Sequence, residues 1–161
     1  MSLQIRPLDE AMAREMVTWR YEPPYDSYNF PSDGAPISDI VKYYVDPATG
    51  AFAICEDSGK FVGFCSFGDD AKVGGGDYQA EALDIGMGIR PDMTGQKNGA
   101  LYAAAAVDFA KKKFVPKTLR VSVAAFNQRA QKVWQKLGFV VTAEFKSTFD
   151  GQQYLVLVRT A

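Results

Sequence analysis

The chain has 161 residues, 47% of them hydrophobic, a size and composition that fit a single domain over 1–161 with one real core. Its 18 basic and 19 acidic residues nearly cancel, so no overall field exists to grip nucleic acid or an anionic membrane, and neither is expected as a partner. There is no histidine, which excludes a Ser-His-Asp triad, a Cys-His pair and any His-ligated metal, and the two cysteines alone make no zinc site, so no metal is expected.

Gln4 to Pro7 reads as a short strand, and Leu8 to Trp19 as a helix with Leu8, Met12, Met16 and Trp19 at helical spacing. Pro23, Pro24 and Pro31 then break regular structure and leave Tyr21, Tyr25, Tyr28 and Phe30 on a loop. Ser38 is a fair N-cap for a helix through about Tyr44, ended by Asp46-Pro47. Ala51 to Glu56 and Phe61 to Phe67 form a hairpin. If Glu56 faces Phe61 across its turn, Cys55 and Cys65 point to opposite sheet faces and no disulfide joins them.

Gly68 to Gln79, with its Gly74-Gly75-Gly76 run, reads as a mobile loop, and Ala82 to Ile89 as the next strand. The alanine-rich run makes a helix from about Asn98 to Phe114. A strand Leu119 to Ala124 and a helix Asn127 to Leu137, stopped by Gly138, follow. Phe139 to Phe149 and Gln152 to Arg159 close the chain as a hairpin over Asp150-Gly151. The order β-α-α-β-β-β-α-β-α-β-β describes an α/β (α+β) domain without internal repeats. No stretch approaches the roughly 18 consecutive apolar residues of a membrane helix, and no basic stretch followed by an apolar core opens the chain, so a cytoplasmic protein is expected.

The chemistry concentrates in Leu83 to Ala110, where a strand runs through a proline turn into a glycine-bearing loop that opens a helix. Unpaired N–H groups in the first helical turn, with the positive end of the helix dipole, suit a phosphate or pyrophosphate. Glycine before a helix is also ordinary turn chemistry, so context must decide. The loop lacks the Gly-Lys-Ser/Thr of a P-loop, and it follows an antiparallel stretch rather than the first strand of a dinucleotide fold.

The context is a second motif, Asn127 to Phe139, directly after a strand. With both motifs in view the chain resembles the GNAT superfamily of N-acetyltransferases. Its nucleotide loop, Gln/Arg-x-x-Gly-x-Gly/Ala, aligns with Thr94 to Gly99, and its later signature aligns with Asn127, Ala130, Trp134, Lys136, Gly138 and Phe139. The resemblance implies a mixed, mainly antiparallel sheet of about seven strands flanked by about four helices, with a V-shaped cleft between strands 4 and 5. It implies acetyl-CoA as co-substrate. Backbone groups of Met87, Gly88 and Ile89 would meet the pantetheine arm and thioester, the amides of Gly95, Gln96, Lys97, Asn98, Gly99 and Ala100 would hold the pyrophosphate, and Asn127 would contact the arm as well as cap a helix. Gly86 and Gly88 agree with a bulged strand there, although glycine can simply weaken a strand.

Three positions depart from that pattern. Thr94 replaces a Gln or Arg, and Lys97 replaces a glycine, so it either resists the needed backbone conformation or adds a charge-assisted phosphate contact. Trp134 stands where many relatives place the tyrosine that protonates the departing thiolate, and an indole N–H cannot act as that acid. Water, Tyr102, Tyr154 or the ammonium formed in the reaction are the alternatives, and packing is the plain reading of Trp134. For the general base, Asp84 and Glu81 at the start of the thioester strand are the carboxylates to test, although a carboxylate in such a place is more often a solvated or salt-bridged strand residue than a base. The loop from Trp19 to Phe30, with Glu22 and Asp26, either boxes an ammonium or fills the edge of the core.

The expected activity is transfer of an acetyl group from acetyl-CoA to a primary amine, small molecule or peptide, by direct attack in a ternary complex. The alternatives are a non-catalytic acyl-CoA-binding regulatory module and a purely structural partner-binding domain. Monomer and homodimer both remain open.

Overall fold

The computed structural model describes residues 2–30, 36–95 and 98–161. The elements are β1 (Leu3–Pro7), α1 (Glu10–Met16), α2 (Ile37–Val45), β2 (Ala51–Glu56), β3 (Phe61–Phe67), β4 (Leu83–Ile89), α3 (Gly99–Phe114), β5 (Thr118–Ala124), α4 (Gln128–Lys136), β6 (Val140–Lys146) and β7 (Gln153–Thr160). They build one seven-stranded sheet in the order β1-β2-β3-β4-β5-β7-β6, antiparallel throughout except for β4 beside β5. The mixed sheet with four α-helices is the expected architecture. Among the described residues, no helix is long and apolar enough to cross a membrane.

Two apolar clusters divide the two faces of this sheet. Ile54, Val62, Cys65, Ile85, Leu119 and Val121 pack with Tyr102, Ala103, Ala106 and Ala110 of α3 and with Trp134 of α4. Ala53, Cys55 and Phe61 pack with Ala13, Met16 and Trp19 from the α1 side and Val41 of α2. The buried face of α3 is mostly alanine, so its backbone can approach the sheet closely. Cys55 and Cys65 fall in different clusters and both are free, as the strand alternation predicts. The assumed pairing is one residue off, because Cys55 rather than Glu56 faces Phe61 and Val62 is left as an extra residue on β3.

Local boundaries differ where short-range chemistry wins over periodicity. The first helix starts at Glu10, because the Asp9 side chain accepts the Met12 amide at 2.8 Å and so caps it. Pro36, extended at ψ 134°, sets the start of α2, and Ser38 lies inside the helix instead of capping it. The closing hairpin turns through residues 147–152 rather than over Asp150-Gly151 alone: the Ser147 amide donates to Gln152 O and the Gly151 amide to Ser147 O. That turn fastens the glycine-rich loop expected to be mobile, since the Thr148 amide donates to Gly74 O at 3.0 Å. At the far end of α3, Val115 takes a left-handed conformation with φ 48° and is largely exposed.

Candidate functional site

The strands β4 and β5 run side by side for only two residue pairs, Leu83 with Leu119 and Asp84 with Arg120. Beyond them β4 stays paired to β3 through Ile89, β5 stays paired to β7 through Ala124, and the two diverge. The V-shaped cleft expected between strands 4 and 5 is therefore present. It opens into a cavity of about 630 Å³. Met87, Gly88, Ile89, Thr94, Gly95, Gly99, Ala100, Asn127 and Trp134 all line it. Asn98 precedes α3 without lining the cavity and without a side-chain capping bond. Gln96 and Lys97, like Pro31, lie outside the described residues.

Gly95 and the first turn of α3 meet at one end of the cleft. Gly95 sits at φ 72°, where a side chain is strained. Among the described residues, the first backbone bond into α3 runs from the Tyr102 amide to Asn98 O at 3.0 Å, and the amides of Gly99, Ala100 and Leu101 in the first turn have no backbone acceptor there. Arg129, Lys132 and Lys136 of the α4 segment also line the cavity. Free amides, the positive end of a helix and three cations make this limb suited to a polyphosphate.

The floor of the cleft is regular. β3 and β4 pair without a break from Gly63–Ile89 to Phe67–Ile85, so the bulge anticipated at Gly86 and Gly88 is not formed. The glycine at 88 has another cause: a Cβ there would collide with the ring of Phe64, its cross-strand partner, which lies in the cleft wall.

A strap of aromatic residues, 21–30, crosses the mouth of the V. At one end the Tyr21 hydroxyl donates to Ile89 O at 2.6 Å. At the other, Asn127 Nδ2 donates to the Tyr28 hydroxyl at 3.1 Å while its Oδ1 accepts the Ala130 amide at 3.0 Å. Asn127 is thus the N-cap of α4 and also a tie to the strap. Tyr25 and Tyr28 pack on Phe126, with centroids 6.0 and 5.8 Å away, and the Arg129 guanidinium lies over the Tyr25 ring at 4.4 Å. Burial pushes the Tyr21 phenol up to about 12 and raises that of Tyr28.

The carboxylates chosen from the sequence are elsewhere. Neither Asp84 nor Glu81 lines the cavity. Asp84 is 2% exposed and is gripped by Arg120, itself 4% exposed, through two bonds of 2.7 Å, Nε to Oδ1 and Nη2 to Oδ2. Both oxygens of this carboxylate are committed to a fixed fork with Arg120, the opposite of what a proton acceptor requires. Nη1 of Arg120 donates to Ala80 O, and the guanidinium stacks 4.8 Å above Tyr78, whose hydroxyl shares a 2.8 Å hydrogen bond with Ser122 in the cleft wall. The expectation missed this network because its members lie far apart in sequence. A signal existed: Arg120 stands between Leu119 and Val121, and Asp84 between Leu83 and Ile85, two opposite charges in two strands otherwise built for burial.

Trp134 is 4% exposed, meets Phe139 edge-on at 5.2 Å and forms part of the cavity wall, so it packs and shapes at once. Of the two alternative phenols, Tyr102 is fully buried, outside the wall, and its hydroxyl has no hydrogen-bond partner among the described residues. Tyr154 does line the cavity, and its phenol is pushed up to about 12, by burial first and then by Tyr28, Asp150 and Tyr78. Burial also pushes the Cys65 thiol up to about 12, which leaves it a neutral core group rather than a nucleophile.

Comparison with known proteins agrees with this geometry. The family model for the acetyltransferase (GNAT) domain matches residues 2–140. No curated protein matches the sequence. Among solved structures, a chimera of the spermidine N-acetyltransferase SpeG from Vibrio cholerae with hSSAT superposes with a TM-score of 0.77 at 15% identity, covering 99% of this chain and 96% of its own. The Vibrio cholerae spermidine N-acetyltransferase in complex with CoA and spermine gives 0.75 at 16% identity over 98% and 95%. An aminoglycoside acetyltransferase in complex with coenzyme A gives 0.75 at 15% identity over 99% and 95%.

Proposed function

The chain belongs to the GNAT acetyltransferase family, and on that premise we propose that it transfers an acetyl group from acetyl-CoA to a primary amine by direct attack within a ternary complex. The observation behind this reading is the parting of β4 from β5 directly beside the free amides of α3: one cavity offers a phosphate-binding limb and an aromatic limb, joined by a strand edge. In this reading the pyrophosphate lies against Gly95, Gly99 and Ala100 with Arg129, Lys132 or Lys136 nearby. The pantetheine arm runs along Met87 to Ile89 toward Asn127. Vibrio cholerae SpeG and the aminoglycoside enzyme, whose solved complexes contain CoA, support the choice of co-substrate by shared fold. Calorimetric binding of acetyl-CoA together with release of free CoA thiol across a panel of amines tests it. Binding without release from any amine would favour the alternative of a non-catalytic acyl-CoA module, for which Trp134 in place of a phenol is the argument.

In the reaction the amine lone pair forms the C–N bond, the C–S bond breaks, and the thiolate takes up a proton. A thiol with a pKa of about 8.5 leaves without much assistance. Among the described residues, Tyr25 and Tyr154 are the wall phenols without a hydrogen bond; the Tyr25 ring lies under the Arg129 guanidinium, and we assign the proton delivery to Tyr154. Deprotonation of the amine is assigned to the cleft itself: among the described residues its lining holds no carboxylate, and burying an ammonium there disfavours its charged form.

That assignment fixes the sign of the pH dependence. The nucleophile is the neutral amine, so log kcat/KM should climb with a slope near 1 as pH rises toward the amine's own pKa. The Tyr21 and Tyr154 phenols, near 12, stay protonated across that range. Changing the amine should move the inflection. An inflection near pH 4 to 5 shared by every amine would instead reveal an enzymic carboxylate and sink the assignment.

The strap supplies a further test. The Tyr28 hydroxyl holds the amide hydrogen of Asn127 that the arm would use, so Tyr28→Phe should tighten acetyl-CoA binding about 2- to 10-fold, the net value of one hydrogen bond. Weaker binding measured by calorimetry would mean that the hydroxyl is itself a ligand to the arm.

A further inference from the structure

We propose that the acceptor of this cleft is a monoamine carried on a flat, apolar or aromatic body and held by ring contacts rather than by ion pairs; the inference rests on the acetyl-transfer reading above. The limb of the cavity away from α3 is built from rings: Trp19 and Phe64, whose centroids are 6.5 Å apart, the strap's Tyr21, Tyr25 and Tyr28, and Tyr154 at the start of β7. Phe64 reaches this position because its partner across the strands is Gly88, so the ring covers the part of β4 on which the thioester is expected.

Charge in the wall points the same way. Among the described residues the cavity lining contains no carboxylate, while Arg129, Lys132 and Lys136 all line it. Glu22 and Asp26, the acids of the strap that were candidates to hold an ammonium, are exposed and outside the lining. A polycation entering here would find no carboxylate among the described lining residues to pair its additional charges, and each of its ammonium groups would lose hydration without compensation. A monoamine has one such group, and the desolvation that disfavours its charged form produces the nucleophile.

Polar capacity is limited to match. The Tyr21 hydroxyl is bound to Ile89 O, that of Tyr28 to Asn127, and the Ser122 hydroxyl to Tyr78. Among the described residues, the hydroxyls of Tyr25 and Tyr154 are left, and Tyr25 lies under the Arg129 guanidinium, so Tyr154 is the one assigned to the polar atom at the reacting end. Flat apolar surface is what the other rings offer, in the offset and edge-on arrangements that aromatic groups prefer.

The test is the thiol-release assay on the full chain with acetyl-CoA, using 2-phenylethylamine and tryptamine against spermidine and kanamycin. We expect kcat/KM at least tenfold higher for the two arylalkylamines. Phe64→Leu, which keeps an apolar side chain of similar size, should narrow that ratio at least fivefold while acetyl-CoA still binds by calorimetry. Spermidine or kanamycin turned over as well as the arylalkylamines, or a ratio unchanged in Phe64→Leu, overturns the proposed acceptor class and leaves acetyl transfer standing. Acetyl-CoA binding with no thiol release from any of the four amines, or from ethylamine, overturns acetyl transfer and this inference with it.

Discussion

Asp84→Ala should cost about 3–5 kcal/mol of stability, the usual penalty for leaving one member of a buried ion pair without the other. Arg120 would keep its charge beside the Tyr78 ring with Ala80 O as the acceptor that remains among the described residues. For a chain of this size each kcal/mol lowers Tm by about 2–4 °C, so the fall is large and readily read by calorimetry. Asp84→Asn retains one acceptor oxygen and should fall between the two. Replacing both charges together, Asp84→Leu with Arg120→Met, should recover much of the loss, because well-packed apolar pairs often match buried ion pairs. If Asp84→Asn melted with the parent yet lost 10²-fold or more in kcat/KM, the carboxylate would be a base after all.

Trp134→Ala should also cost about 3–5 kcal/mol, the range for truncating a buried large aromatic residue. The ring packs in the same cluster as Phe139 and Ala106, and its removal would enlarge the cleft as well as the core. Trp134→Tyr separates packing from chemistry. It keeps an aromatic ring against Phe139 and adds a phenol to the wall, so the fold should survive and turnover should be kept or raised. A Trp134→Tyr protein that binds acetyl-CoA normally but loses tenfold or more in kcat would show that the indole shapes the reacting end in a way a phenol does not reproduce.

How far the sequence could be read follows from the range of the forces involved. The β2–β3 hairpin, the alanine face of α3, and Asn127 at the start of α4 are set by residues a few positions apart, and local pattern finds them. The order of the elements was legible for that reason, and so was the cleft, once two motifs placed its walls. The base was not. A carboxylate at position 84 looks the same in sequence whether it faces a ligand or an arginine 36 residues later. The strap was legible as a proline-interrupted aromatic loop, but its attachments to Ile89, Phe126 and Asn127 join the two arms of the V across as many as 99 residues. Similarly, Gly88 invited a bulge, when the cause was a ring on the neighbouring strand.

The parting of β4 and β5 can be seen as an internal hazard. A sheet opened at its centre presents strand edges inside the fold, and a bare edge will pair with any extended chain that reaches it. An arm bearing amide groups can use such an edge as an added strand would. The phenol of Tyr21 already covers the Ile89 carbonyl, and the strap it anchors stands across the mouth. The edge is thereby left open to a slender ligand and guarded against a second polypeptide, so the loop that lines the aromatic limb also protects the molecule from misassembly with its own kind.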